Sequence, residues 1–149
     1  MMEVQQDFKK LLELFNVHKV EYVIVGGYAL AFHGVPRYTG DIDILVRPDD
    51  ENARKVLAAL DEFGFGSVGL EKSDFTDLGK VVQFGVPPIR IDIISSLTGV
   101  SWEEAFSGRG KGKYGDTPVY YLGRNQFISN KRAIARKKDL ADLEALGEE

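Results

Sequence analysis

Residues 22–46 read YVIVGGYALAFHGVPRYTGDIDILV, and the way this stretch breaks up decides the fold. Tyr22 to Val25 is short, apolar and β-branched, and Gly26 and Gly27 stop it. Tyr28 to Phe32 offers a short, alanine-containing helix until Gly34 and Pro36 end it. Ile42 to Val46 is again β-branched, alternates with acids at its start, and is closed by Pro48. The expected run is strand, glycine turn, short helix, strand. Successive side chains of a strand point to opposite faces, so Asp41 and Asp43 share one face while Ile42 and Ile44 enter a core on the other. Such a pair of carboxylates stands roughly 7 Å apart along the strand.

Outward from this stretch the same alternation of elements continues. Val4, Phe8, Leu11, Leu12, Leu14 and Phe15 recur at helical spacing and predict an amphipathic helix over 4–17. Asp49 or Asp50 can cap a helix over Glu51 to Phe63. Lys80 to Gly85 and Ile89 to Ile94 are strand-like, and Pro87 and Pro88 between them leave no room for a crossover helix, so an antiparallel hairpin is expected. Ser101 to Phe106 reads as a short helix, Ser107 to Gly115 as a glycine and lysine loop, Thr117 to Leu122 as a strand, and Asn125 to Leu146 as one or two helices. The fold class expected is α/β, more narrowly α+β: one domain over 1–149 with a mixed β-sheet flanked by helices and a basic helix near the C-terminus.

Composition narrows the chemistry. With 44% apolar and 28% charged residues the chain can bury a core and is expected to fold alone. No apolar run approaches the roughly 20 residues that cross a bilayer, so no membrane partner and a cytoplasmic location are expected. There is no cysteine, which removes disulfides, thiolate metal sites and cysteine nucleophiles, and two histidines, His18 and His33, cannot build a structural zinc site alone. Any metal must be held by oxygen. The net charge is −4, yet residues 107–138 hold nine basic residues against the single acid Asp116 and so carry +8, leaving −12 on the remainder. That stretch can meet anions, or can simply balance an acidic body.

A strand acid pair by itself usually marks a solvated sheet face. Three features favour a site instead. Two adjacent carboxylates repel, and a hard cation such as magnesium, which prefers carboxylate and phosphate oxygens, reverses that cost. Arg90-Ile91-Asp92-Ile93-Ile94 repeats the design, with Ile91 and Ile93 on one face and Asp92 on the other, and supplies a third ligand. Gly26 and Gly27 let backbone approach a phosphate with no side chain between, where a following helix offers unpaired N–H groups.

Together these residues resemble the nucleotidyltransferase fold superfamily. The pattern GG-x-A-x-x-x-H-G-x-x-R-x-T-x-D-I-D is met in place by Gly26, Gly27, Ala29, His33, Gly34, Arg37, Thr39, Asp41 and Asp43. Its wording is similar to small abortive-infection toxin-like proteins and to lincosamide and aminoglycoside nucleotidyltransferases. The likeness covers about the first two thirds of the chain plus the tail from Lys131 to Asp142. Gly27 stands where many relatives carry serine, which leaves backbone donors to meet the phosphate. The resemblance implies transfer of a nucleoside monophosphate from a nucleoside triphosphate, with two magnesium ions held by Asp41, Asp43 and Asp92 and with pyrophosphate leaving. Asp92 is also expected to help deprotonate an acceptor hydroxyl. Gly26, Gly27, Arg37, Thr39, Lys131, Arg136 and Lys138 are the expected nucleotide-binding residues. Arg37 can reach phosphate or pair with Asp41, and Thr39 can bond the turn or the nucleotide. The acceptor is open between an antibiotic-like small molecule, a protein and transfer RNA. The alternative is a catalytically silent nucleotide- or RNA-binding module of a toxin–antitoxin or regulatory system, with a protein partner.

Other motifs carry less. Gly64-Phe65-Gly66-Ser67-Val68-Gly69 has the letters of a dinucleotide-binding loop but follows a helix, and reads as a helix end and turn. His33 is expected to cap or pack, and Tyr114, Tyr120 and Tyr121 to pack in strands.

Overall fold

Alternation is what builds the sheet. In the computed structural model, which describes residues 4–35, 40–86 and 89–148, strand β2 (Asp41–Val46) buries Ile42 and Ile44 completely and leaves Asp41 and Asp43 partly exposed. Strand β4 (Ile89–Ile94) lies parallel to it, with Ile91 and Ile93 buried beside Ile42 and Ile44. Strand β1 (Tyr22–Val25) is buried along its whole length, as expected of a central strand covered on both faces. It pairs antiparallel with β2 and parallel with β6 (Thr117–Tyr121). Strand β3 (Val81–Val86) makes the expected antiparallel hairpin with β4, and β5 (Gly110–Tyr114) pairs antiparallel with β6. The order across the mixed sheet is β3-β4-β2-β1-β6-β5.

Two apolar layers hold it. On one face Phe8, Leu11, Leu12 and Phe15 of α1 (Gln6–Val17) and Ala53, Val56, Ala59 and Leu60 of α3 (Asp50–Leu60) pack on Tyr22, Ile24, Ile42, Ile44 and Ile93. On the other, Ala29 and Leu30 of α2 (Gly26–Phe32), Ala105 of α5 (Trp102–Ser107) and Phe127 of α6 (Arg124–Ile134) cover Val23, Val25 and Leu45. Burying each large apolar side chain contributes about 1.5–3 kcal/mol. The second layer shares its sheet face with the acids, so that face is apolar in one part and carboxylate-bearing in another.

The helix ends follow local chemistry. The Asp49 side chain accepts from Asn52 N at 2.8 Å and caps α3. Where the helix was expected to run on to Phe63 it loosens into a wide turn, Asp61–Phe65, in which Gly64 takes φ +114°. The Gly64–Gly69 segment is therefore a helix end, as read from its place in the sequence. Ser101 and Glu104 cap α5 reciprocally. A four-residue helix, α4 (Ser73–Thr76), was not anticipated. The C-terminal segment forms two helices, α6 and α7 (Lys137–Ala145), separated at Ala135, which adopts φ +55°. Among the described residues no helix is long and apolar enough to cross a membrane.

One expectation is overturned. Ser107 to Gly115 is not a loop, because residues 110–114 form edge strand β5. A Cβ at Gly110 would lie 2.7 Å from Phe32 Cε2, and one at Gly112 would lie 2.8 Å from Phe32 Cε1. The Phe32 ring stacks on Tyr121 at 4.5 Å and lies against the glycine strand. The glycines are thus the inward positions of a strand whose outward positions are Lys111 and Lys113, both exposed.

Candidate active site

The ladder between β2 and β4 brings the three acids together. Asp43 is the register partner of Asp92, and Asp41 that of Arg90. Register partners show their side chains to the same face, so two acids of β2 and an arginine and an acid of β4 form a square of charged groups. The Asp43 and Asp92 carboxyls therefore stand side by side, close enough to repel when both are ionised. Asp92 is buried and Asp41 partly exposed, so the cluster opens at the start of β2.

Burial, followed by the charge of Asp92, its hydrogen bond and the charge of Asp41, pushes the Asp43 carboxyl up to about 7, and Arg90 opposes the rise. The Arg90 Nη2 donates to Asp41 Oδ2 at 3.1 Å, and its Nε lies 3.3 Å from Asp92 Oδ1. That second contact is an ion pair without hydrogen-bond alignment, since Arg90 Nε and Asp92 Oδ1 are both buried without a hydrogen-bond partner. Sequence reasoning passed over Arg90. The signal was present, because a residue two before Asp92 in a strand shares its face.

Gly26 and Gly27 form the first turn of α2. Gly26 holds φ +67°, and any Cβ there would strike the Asp43 carboxylate. The glycine turn is therefore seated directly on one of the acids, with no side chain between backbone and carboxylate.

Three hard-oxygen side chains, one with an unpartnered buried oxygen and one whose carboxyl is raised by burial and by its acidic neighbours, suit magnesium. Among the described residues no group of three or more acids or histidines is already arranged to hold an ion. Arg90 occupies part of that space.

The remaining expected site residues are placed differently. Arg37 and Thr39 lie outside the described residues. Lys131 is buried, and its Nζ donates to Asp139 Oδ1 at 3.0 Å and contacts Asp142 Oδ2 at 3.3 Å. Arg136 Nε donates to Asp139 Oδ2 at 2.7 Å. Arg136, then Lys131, hold the fully buried Asp139 carboxyl well below the ordinary carboxylate range. Lys131 thus clamps α6 to α7 and Arg136 caps the start of α7, while Lys138 is exposed. His33 ends α2 and donates through Nε2 to Leu122 O at 2.7 Å, a capping role as expected. Tyr114 and Tyr121 are buried and pack.

No family model matches the chain, and no curated protein matches it. Solved structures do. A Thermotoga maritima protein proposed to be a nucleotidyltransferase matches with a TM-score of 0.59 at 15% identity, over 98% of this chain and 94% of its own. The antibiotic-resistance factor ANT(2″)-Ia matches at 0.61 and 14% identity, over 95% of this chain and 80% of its own. The lincosamide antibiotic adenylyltransferase LnuA, bound to lincomycin, matches at 0.51 and 16% identity, over 96% of each. Identity this low speaks to architecture. The chain, with its six-stranded mixed sheet flanked by helices, has the nucleotidyltransferase fold.

Proposed function

We propose that this chain is a metal-dependent nucleotidyltransferase, which moves a nucleoside monophosphate from a nucleoside triphosphate to an acceptor hydroxyl and releases pyrophosphate. The observation that carries the reading is the meeting of Asp41, Asp43 and Asp92 on one face of adjacent strands, with Gly26 seated against Asp43. Magnesium held by these three would neutralise charge and polarise the α-phosphate as a Lewis acid. Asp41 and Asp43 would hold both the nucleotide-side and the catalytic ion, Asp92 would complete the catalytic one, and the Gly26-Gly27 backbone would let the phosphates approach. Asp92 takes the acceptor proton on its unpartnered Oδ1. The acceptor oxygen bonds to the α-phosphorus as the bond to the bridging oxygen breaks, and pyrophosphate leaves with that electron pair. Arg37, Thr39 and Lys138 are proposed to meet the phosphates. Lys131 and Arg136 would have to do so from within their pairing with Asp139.

ANT(2″)-Ia has been solved with adenylyl-2″-tobramycin and LnuA with lincomycin, and these support a hydroxyl-bearing small molecule as the acceptor here. Transfer RNA or protein hydroxyls are then alternative destinations of the transferred group. The silent binding module remains as a second reading on one observation, the presence of Arg90 against two of the acids where an ion would sit.

Thermal unfolding of wild type and Asp41→Asn/Asp43→Asn separates the two. Magnesium with a triphosphate should raise the wild-type melting temperature by binding linkage and leave the double variant unmoved. In chelator the variant loses both the repulsion among the acids and the Asp41–Arg90 pair, so the readout is the magnesium-dependent shift of each protein from its own baseline. A triphosphate shift that is equal in both proteins and independent of magnesium favours the silent module.

A further inference from the structure

We propose that Arg90 is a resident counter-ion of the carboxylate site, and that it becomes a phosphate-binding residue when a divalent cation and a triphosphate enter. This rests on the nucleotidyltransferase reading above. The backbone of Arg90 is fixed, since its N–H donates to Gly40 O at 3.0 Å beside the start of β2. Its side chain is not fixed in the same way. An arginine kept as a structural pair commonly engages one carboxylate through its planar fork, with two parallel bonds. Arg90 instead divides itself, giving Nη2 to Asp41 and laying Nε beside Asp92 without hydrogen-bond alignment. The result is one good contact, one poor contact, and a donor and an acceptor both buried and unsatisfied.

This arrangement suits a place-holder. With no divalent ion present, the guanidinium supplies positive charge to a cluster of three carboxyls through its contacts with Asp41 and Asp92. A divalent ion competes for the same oxygens of Asp41 and Asp92, and at ion-pair distance it repels the guanidinium. Arg90 has somewhere to go. Its side chain is 29% exposed, and its register partner on β3 is Gly85, which sets no side chain beside it. The triphosphate that accompanies the ion presents oxygens that match the guanidinium fork. The cation therefore exchanges carboxylate for phosphate, and no core residue need move.

The test compares wild type, Arg90→Gln and Arg90→Lys for binding of manganese alone and of magnesium tripolyphosphate, by calorimetry, with melting temperatures taken in chelator. Arg90→Gln should melt lower in chelator, bind manganese alone about tenfold tighter, and bind magnesium tripolyphosphate at least about tenfold more weakly, as for loss of a charged hydrogen bond. These opposite changes are what a merely structural pair would not produce. Should the glutamine variant not fold, Arg90→Lys carries the test: manganese affinity near wild type, with tripolyphosphate weakened about tenfold by loss of the fork. The proposal falls if the folded variants keep both affinities within twofold of wild type, or lose both together. If wild type itself binds neither manganese nor magnesium tripolyphosphate, the nucleotidyltransferase reading falls too. Wild-type binding with unaltered variants removes the role of Arg90 alone.

Discussion

Gly26 ties the backbone to the chemistry at a single residue. Its φ of +67° is costly for a side chain, and a Cβ would collide with the Asp43 carboxylate. Gly26→Ala should therefore cost on the order of 1–3 kcal/mol of stability in denaturant unfolding. Adding Asp43→Ala should recover part of that loss, because the collision partner is gone while the backbone strain remains. Strictly additive losses would show that strain alone sets the cost. The acids themselves were legible in the sequence, since strict alternation put Asp41, Asp43 and Asp92 opposite buried isoleucines. Arg90 was equally legible by parity, since it stands two residues before Asp92 in the same strand. What no sequence pattern could show is the register, which sets Arg90 against Asp41 and Asp43 against Asp92.

Among the elements, β5 and the α6–α7 pair carry the clearest lessons. The glycines of 107–115 look like a loop when read by composition, but with period two they are the inward face of a strand shaped around the Phe32 ring. Gly112→Val, although it raises strand propensity, should destabilise by about 1–3 kcal/mol through overpacking. Lys111→Thr, on the outward face, should stay within about 0.5 kcal/mol. Equal effects would contradict the assignment of faces.

The α6–α7 clamp was hidden for another reason: Lys131 and Asp139 are eight residues apart across a break at Ala135, beyond any single-helix spacing. Because burial there is complete for Asp139, Asp139→Asn should cost about 1.5–3 kcal/mol by removing the carboxylate that Arg136 holds and leaving Lys131 with Asp142 alone. Its carboxyl is held below the ordinary range, so the ionised form stabilises the folded chain above about pH 4, the usual value for an unfolded chain. That stabilisation is lost as the pH falls below this toward the folded value. Wild type and Asp139→Asn should accordingly differ by a constant amount near neutrality and converge in acid. A gap that widens in acid would contradict the pairing.

At the scale of the molecule, the sheet order puts β2 and β4 side by side, sets the β1–α2 turn against them, and keeps α1 and α3 on the opposite face. The strands other than β5, the β3–β4 hairpin and the mixed character of the sheet could be read from periodicity and turn residues. The joining of β1 to β6, which brings the C-terminal half onto the same sheet, depends on long-range pairing that no local pattern encodes. An acceptor surface is likewise a property of the assembled chain and left no motif. The reaction itself can be tested without knowing the acceptor, because nucleotidyl transfer and phosphoryl transfer retain different phosphorus atoms. Wild type and Asp41→Asn/Asp43→Asn would each be incubated with magnesium, a cell extract, and each of the nucleoside triphosphates labelled at either the α- or the γ-phosphorus. The account predicts that wild type moves the α-label onto an acceptor and releases the γ-label in pyrophosphate, and that the double variant does neither. Transfer of the γ-label to an acceptor, or no transfer from any triphosphate, would contradict it.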